Sequence, residues 1–572
     1  MKKYFYIAIA ALGFAACAEK IDDNAPHNGE VEESYIAINL MSADVNTRAA
    51  EDEYGYEDGT EAERKIKSAY FFFFDENGNP FNVLGAPATA PGGDQNYLQL
   101  SITTTDNGSA ENVSDISNAV LVLNTYKGIY PKQIVAVLNW VPVNKSYSLT
   151  DLHEVLNGTL GNDLDGYVMS NSVYMNGDKI IDANPISVND IKTTPEDAKN
   201  SPINIYVERT AAKVILTAGG KLSETQNIFK VTEDNAFVPV GGNGITVYMQ
   251  LQGWELFNDY QTSTLLKNIE NWDVATLGLT WNDSPYYRCY WANTQTASLS
   301  DSFSWSYSYE NQLAKGFQTE YGFNIASSSN YNDRTAYTYC GENTNQATST
   351  EDPRTKVILK GQLMQKDGDT FKPLEVASWY GNKYAGSDNL KTAVANSLKY
   401  VLYSSTDGGQ SFTSIKPEDI ECVGEVNGTE SYEIGFQLSS SAHAKAWYKR
   451  SSERGEEFLG DMSEPGDNVL KTNEYLAAQV EPALLYANGM TYYIVDIEHL
   501  GTAGAKYGVV RNHVYQIDIN SIKGYGSPVY NGQSFIVDQP VYPPTDGESS
   551  YVAARINVLS WKVVKQGVNI VQ

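Results

Sequence analysis

The sequence has 572 residues, roughly four times a typical domain of about 150, so two or more domains and a sizeable core are expected. Apolar residues make up 42% and charged residues only 19%, with 40 Tyr against 18 Phe, which excludes wholesale disorder and a coiled coil and suits half-buried pleated sheets. The net charge of −29, without any local basic stripe, excludes a nucleic-acid partner, and five His and four Cys are too few for a zinc framework or a disulfide scaffold.

In chain order, Lys2 and Lys3 precede an apolar run from Tyr4 to Ala16, too short to span a bilayer of ~30 Å. It reads as an export signal. The run ends Leu12-Gly13-Phe14-Ala15-Ala16-Cys17, small residues directly before a cysteine, so Cys17 is a candidate lipidation site. A plain signal peptide with an incidental cysteine is the alternative. After a polar tether, Ile36, Ile38 and Leu40 alternate with Tyr35, Ala37 and Asn39, the period of a strand with one buried face. The acidic stretch that follows contains Arg48, its only base, next to Ala49. Taken alone, Arg48 is a solvated loop residue; after a lone strand in an exported chain, it is a candidate cleavage residue for an arginine-specific protease.

Ala69 to Phe74 and Phe81 to Leu84, joined through Asn77-Gly78, read as a hairpin. Asp75, Asn77 and Asn79 resemble the start of a calcium loop, but Pro80 stands where glycine is needed, which favours a simple turn. Ala119 to Leu123 and Ile134 to Val143 are strand-like, and Leu149 to Leu156 suggests a short helix. Ile203 to Leu216, alternating around Glu208-Arg209, reads as one long strand at a domain junction. Further strands are expected within 245–251, 356–363, 399–403, 489–497 and 509–519, separated by Ser-, Thr-, Asn- and Gly-rich segments. Short strands without helical alternation predict an all-β fold of antiparallel sandwiches with few short helices. The Pro-rich stretch 538–547 is a linker. Beyond it, Val552, Ala554, Ile556 and Val558 alternate with polar residues, and Trp561 and Val563 continue the apolar character. The 22 residues from Tyr551 would reach roughly 70 Å extended, at about 3.3 Å each, far enough to leave their own domain.

These blocks resemble the type V pilins, or fimbrillins, and most closely the stalk subunits of short, Mfa-type fimbriae. The resemblance is carried by Leu12 to Cys17, Thr47-Arg48-Ala49, Val207 to Val214, Arg288-Cys289-Tyr290-Trp291-Ala292, Tyr339 to Thr344, Thr355 to Gly361 and Tyr507 to Tyr515. Phe14 departs from the Leu common in the family's lipobox. The resemblance implies an outer-membrane lipoprotein precursor lipidated at Cys17, cut after Arg48 to leave Ala49 as N-terminus. The strand of Ile36, Ile38 and Leu40 is then released, and the subunits polymerise by donor-strand exchange into a surface fimbrium for adhesion and biofilm formation. The donor is the tail carrying Val552, Ala554, Ile556, Val558, Trp561 and Val563. It also implies two transthyretin-like β-sandwich domains, placed at 49–215 and 216–537, after a signal peptide at 1–16 and a propeptide at 17–48, and before the linker and tail at 538–572. The implied partners are further copies of the chain, accessory tip and anchor subunits, the protease, the outer membrane through lipid, and surface receptors.

Elementary energetics agree with this scheme. Exposing the slot of Ile36, Ile38 and Leu40 costs about 1.5–3 kcal/mol per side chain, or roughly 5–9 kcal/mol together, comparable with the ~5–15 kcal/mol stability of a domain. Opened strand edges are templates for another strand, and a donor and acceptor on different faces build an open filament. Loss of residues 1–48 removes four bases and seven acids, changing the net charge from −29 to −26. A monomeric surface lipoprotein binding glycans through exposed Trp and Tyr, or an anchor or tip adhesin, are the alternatives. No enzyme, cofactor or metal is expected: His153, His443, His499 and His513 lie in different segments, although a contact between His499 and His513 is open. Cys289, Cys340 and Cys422 read as thiols, with one disulfide among them also open.

Overall fold

The computed structural model describes, with short breaks, residues 31–42, 63–84, 95–100, 119–269, 337–347, 352–528 and 551–565, together with five pieces of two or three residues between them. Cys17, Arg48, Ala49, Cys289, Trp561 and Val563 lie outside the described residues.

The first half of the chain builds one eight-stranded sheet. Its principal members are β1 (Val31–Ser42), β2 (Ala69–Phe74), β3 (Tyr97–Leu100), β4 (Ala119–Tyr126), β5 (Gln133–Leu138), β6 (Met169–Asn171) and β7 (Ile203–Arg209), with two helices between, α1 (Leu149–Glu154) and α2 (Pro195–Lys199). The order across the sheet is β3-β2-β5-β6-β7-β1-β4. One face buries Ile36, Ile38, Phe71, Phe73, Leu123 and Ile205. The other packs Phe72, Phe74, Val135, Val137 and, from α1, Leu152. Because both faces of its centre are covered, β2 is apolar at every position rather than at alternate ones.

The expected partner of β2 at 81–84 is not a strand. Asp75 instead closes a tight turn, accepting from the backbone of Asn77 (2.8 Å) and Asn79 (2.9 Å), and Gly78 supplies φ of 80°. Only Phe74 and Pro80 bridge before the chain leaves, and β2 pairs with β3 and β5.

The long strand expected over 203–216 breaks at Thr210, and β8 (Ala211–Ala218) enters a different sheet. The break has a local cause. Thr210 donates its backbone N–H (2.9 Å) and its hydroxyl (3.2 Å) to the carbonyl of Val168, and Arg209 donates its N–H to Asn512 Oδ1 (3.2 Å). Those bonds take the backbone groups that would have continued one ladder.

Beyond the break lie β9 (Asn243–Phe257), β10 (Lys356–Asp367), helices α3 (Gly386–Leu398) and α4 (Asp467–Gln479), β11 (Met490–Asp496), β12 (His513–Lys523) and β13 (Tyr551–Ser560). One sheet joins β8, β12 and β13, and another joins β9, β10 and β11. They enclose a common core of Val214, Leu216, Met249, Trp254, Leu359, Val495 and Ile517. Between β10 and β11 the chain builds a third core from Ala377, Leu390, Val394, Trp447, Leu476 and Leu485, covered by α3 and α4. A strap at Ser263–Thr264 runs back to pair with Leu156–Asn157, placing Leu265 and Leu266 in the core beside Phe72 and Leu152.

The fold is thus all-β, with four short helices among the described residues, as the alternation predicts. The ladders are mostly antiparallel, but β1 runs parallel to β7 and β8 parallel to β12.

Candidate strand-exchange site

The strand expected to be released, β1, is an interior member of the first sheet. It pairs antiparallel with β4 from Val31 to Ile38, and parallel with β7 from Ile38 to Ser42. On the side away from β4, the backbone of Tyr35 exchanges two hydrogen bonds with Lys192, at 2.8 and 2.9 Å. Ile36 and Ile38 are completely buried, pointing into the core with Leu121, Leu123 and Ile205. Ala37 points the other way, under Ala198 of α2 and beside Val120, and is also buried. The strand therefore has two buried faces over Ile36 to Ile38, not the single one that alternation suggests. Tyr35, two residues before Ala37, packs against the same small cluster.

Polar contacts fix the beginning of the strand. Ser34 is buried and its hydroxyl lies 3.5 Å from the carbonyl of Leu123. Glu32 accepts from the Gly128 N–H at 3.1 Å and from the Tyr130 hydroxyl. The Tyr130 bond, followed by that from Gly128, holds the Glu32 carboxyl below its usual range, and the same bond raises the Tyr130 phenol. Neither Tyr130 nor Lys192 has a sequence pattern that marks it, because each meets β1 only after the chain has doubled back.

The expected donor is β13. Val552, Ala554, Ile556 and Val558 fall within it, and its backbone pairs antiparallel with β12, with Val552 opposite Ile522 and Val558 opposite Tyr515. Among the described residues, its other edge pairs with Val564–Lys565 of the same tail.

The scattered histidines do meet. The rings of His499 and His513 lie 5.1 Å apart, His499 Nδ1 is 2.9 Å from the Tyr515 hydroxyl, and His513 Nδ1 is 2.7 Å from the Arg511 carbonyl. Both are buried at the root of β12, as is Arg511, whose guanidinium pairs with Glu342 (3.3 Å) and donates to Leu265 O (3.1 Å) and Thr264 Oγ1 (2.9 Å). This cluster anchors the strap to β12. Cys340 and Cys422 are free thiols, and burial pushes both up, Cys422 to about 11.

Residues 484–567, the span that holds β11, β12 and β13, match the family model described as major fimbrial subunit protein type IV, fimbrillin, C-terminal. Over this region the chain is similar to fimbrillins. The match falls on the part that holds the expected donor strand. No curated protein matches the sequence. Solved structures similar to this chain include a fimbrilin (FimA) from Porphyromonas gingivalis, 13% identical with a TM-score of 0.34, covering 93% of this chain and 98% of that one. The tip fimbrial protein Mfa3 from Porphyromonas gingivalis, truncated at its C-terminus, is 11% identical with a TM-score of 0.27, covering 92% and 100%. A fimbrial assembly protein from Parabacteroides distasonis is 10% identical with a TM-score of 0.26, covering 75% and 100%.

Proposed function

We propose that this chain is a fimbrillin, the stalk subunit of a surface fimbrium, and that it polymerises by strand exchange after proteolysis. The chain is exported as a lipoprotein through Cys17 and reaches the outer membrane. Cleavage after Arg48 frees β1, and residues 551–563 of another subunit then take its place.

The observation that carries this reading is the position of β1 between β4 and β7. An edge strand leaves one open edge when it is removed; an interior strand leaves two, with a cleft between them. Exposing Ile36 and Ile38 alone forfeits about 3–6 kcal/mol, and the facing edges of β4 and β7 lose their backbone partners. A vacated slot of this kind requires another strand, and the polymer supplies one per subunit. Two sandwich domains, at 49–215 and 216–537, would then carry load between the slot and the tail.

N-terminal sequencing of sheared surface material, with electron microscopy of the same fraction, tests the proposal. Filaments whose subunits begin at Ala49 are expected. Filaments whose subunits retain β1, or a monomeric product lipidated at Cys17, would refute it.

A further inference from the structure

The tail copies the strand that it is proposed to replace. The first strand reads Glu32-Glu33-Ser34-Tyr35-Ile36-Ala37-Ile38-Asn39-Leu40, and the tail reads Glu548-Ser549-Ser550-Tyr551-Val552-Ala553-Ala554-Arg555-Ile556. With the chains running in the same direction, Glu, Ser, Tyr and Ala recur at identical spacing. Val552 stands for Ile36, and Ile556 for Leu40.

Each of the four recurring residues makes a contact in the slot, as do the buried Ile36 and Ile38. Glu32 receives the Gly128 N–H and the Tyr130 hydroxyl. Ser34 reaches the Leu123 carbonyl. Tyr35 exchanges its backbone bonds with Lys192, and Ala37 fits beneath Ala198. Glu33 is exposed, and there the two segments differ.

Resting on the strand-exchange reading, we infer that the tail of a second copy enters the slot with the polarity of β1, antiparallel to β4 and parallel to β7, with Ala553 seated beneath Ala198. Ala553 is the register-setting residue. A slip of two residues in either direction would bring Tyr551 or Arg555 to the place of Ala37, which is 1% exposed against Ala198 and Val120, and a slip of one residue would turn every core-facing side chain to the wrong face. In this register Ala554 takes the place of Ile38, opposite Ile203 and Ala119, so the donor fills the core less completely than the original strand does. The resident strand is the better occupant, which makes covalent cleavage a requirement for exchange.

The register is read by disulfide trapping in full-length chains assembled on cells. Ala198→Cys combined with Ala553→Cys is expected to give a ladder of covalent multimers on a non-reducing gel. Ala198→Cys combined with Arg555→Cys or Tyr551→Cys is expected to give none. A ladder from either of those two pairs and not from Ala553→Cys overturns the register while leaving strand exchange intact. Filaments from a chain lacking residues 551–572 overturn the strand-exchange reading and the register with it. In a second set of full-length chains, Ala553→Trp is expected to shorten filaments at least tenfold, whereas Ser549→Trp, at the position of exposed Glu33, leaves their length unchanged. Equal lengths in the two variants also overturn the register.

Discussion

The two strands at the ends of the molecule occupy opposite kinds of position. β1 has β4 on one side and β7 on the other, a core beneath it and α2 above. Among the described residues, β13 lies against β12 on one side and pairs with two residues of its own tail on the other. Leaving the first position breaks two ladders and empties a core; leaving the second opens one. A strand in the β1 position does not exchange on its own, because its departure costs as much as unfolding a small domain. Among the described residues, β8, β9, β10, β11 and β12 share one core. Under the proposed function, proteolysis at one end and release of the tail at the other are complementary solutions to one problem, which is how to make a folded subunit accept a foreign strand.

The sharpest way to break this contrast is to delete residues 551–572. The subunit should stay folded by circular dichroism, with filaments absent from electron micrographs; filaments of normal length would show that β13 is not the donor. Next in size is Arg48→Ala, which should leave β1 attached, giving a precursor band and a large drop in polymer by gel electrophoresis of sheared fractions. A smaller effect separates the precursor from the processed form directly. Ile38→Ala should lower precursor stability by about 2–5 kcal/mol, the cost of truncating a fully buried isoleucine, and should leave the processed form unchanged because it no longer contains that residue. Equal loss in both forms, measured by denaturant unfolding, would mean that β1 is retained.

The smallest effect is a pH dependence confined to the precursor. The Glu32 carboxyl is held below its usual range by the Tyr130 hydroxyl and the Gly128 N–H. Its contribution is therefore present above the ordinary carboxylate pKa and disappears as pH falls through the lowered one. Glu32→Gln should flatten the acid limb of precursor stability slightly, and should do nothing to the processed chain. Asp352 supplies a contrast outside the slot. Although burial opposes it, bonds from Arg354 and Lys356 lower that carboxyl to about 2. Asp352→Asn should flatten acid unfolding between about pH 4 and 2 in both forms.

Much of the exchange site was legible in the sequence because alternation reports burial. Ile36 and Ile38 announce a core-facing side, and the tail announces the same pattern. Alternation says nothing about what covers the opposite face, so the role of Ala37 was not visible until α2 was seen lying over it. The break at Thr210 was hidden for a similar reason. Its residues suit a strand throughout, and only the carbonyl of Val168 and the amide of Asn512, brought from 42 and 303 residues away, divert the backbone. The pairing of Arg511 with Glu342, and the strap held against it, are equally non-local.

The sequence by itself determined that this is a large acidic β protein with an apolar N-terminal run, an alternating first strand and an alternating tail, because composition and period are properties of neighbouring residues. Only the tertiary structure decided that the first strand is an interior one, roofed by a helix over an alanine, and that the tail lies at the margin of another sheet. Strand order and the closeness of packed layers depend on which distant segments meet, and no local period records that.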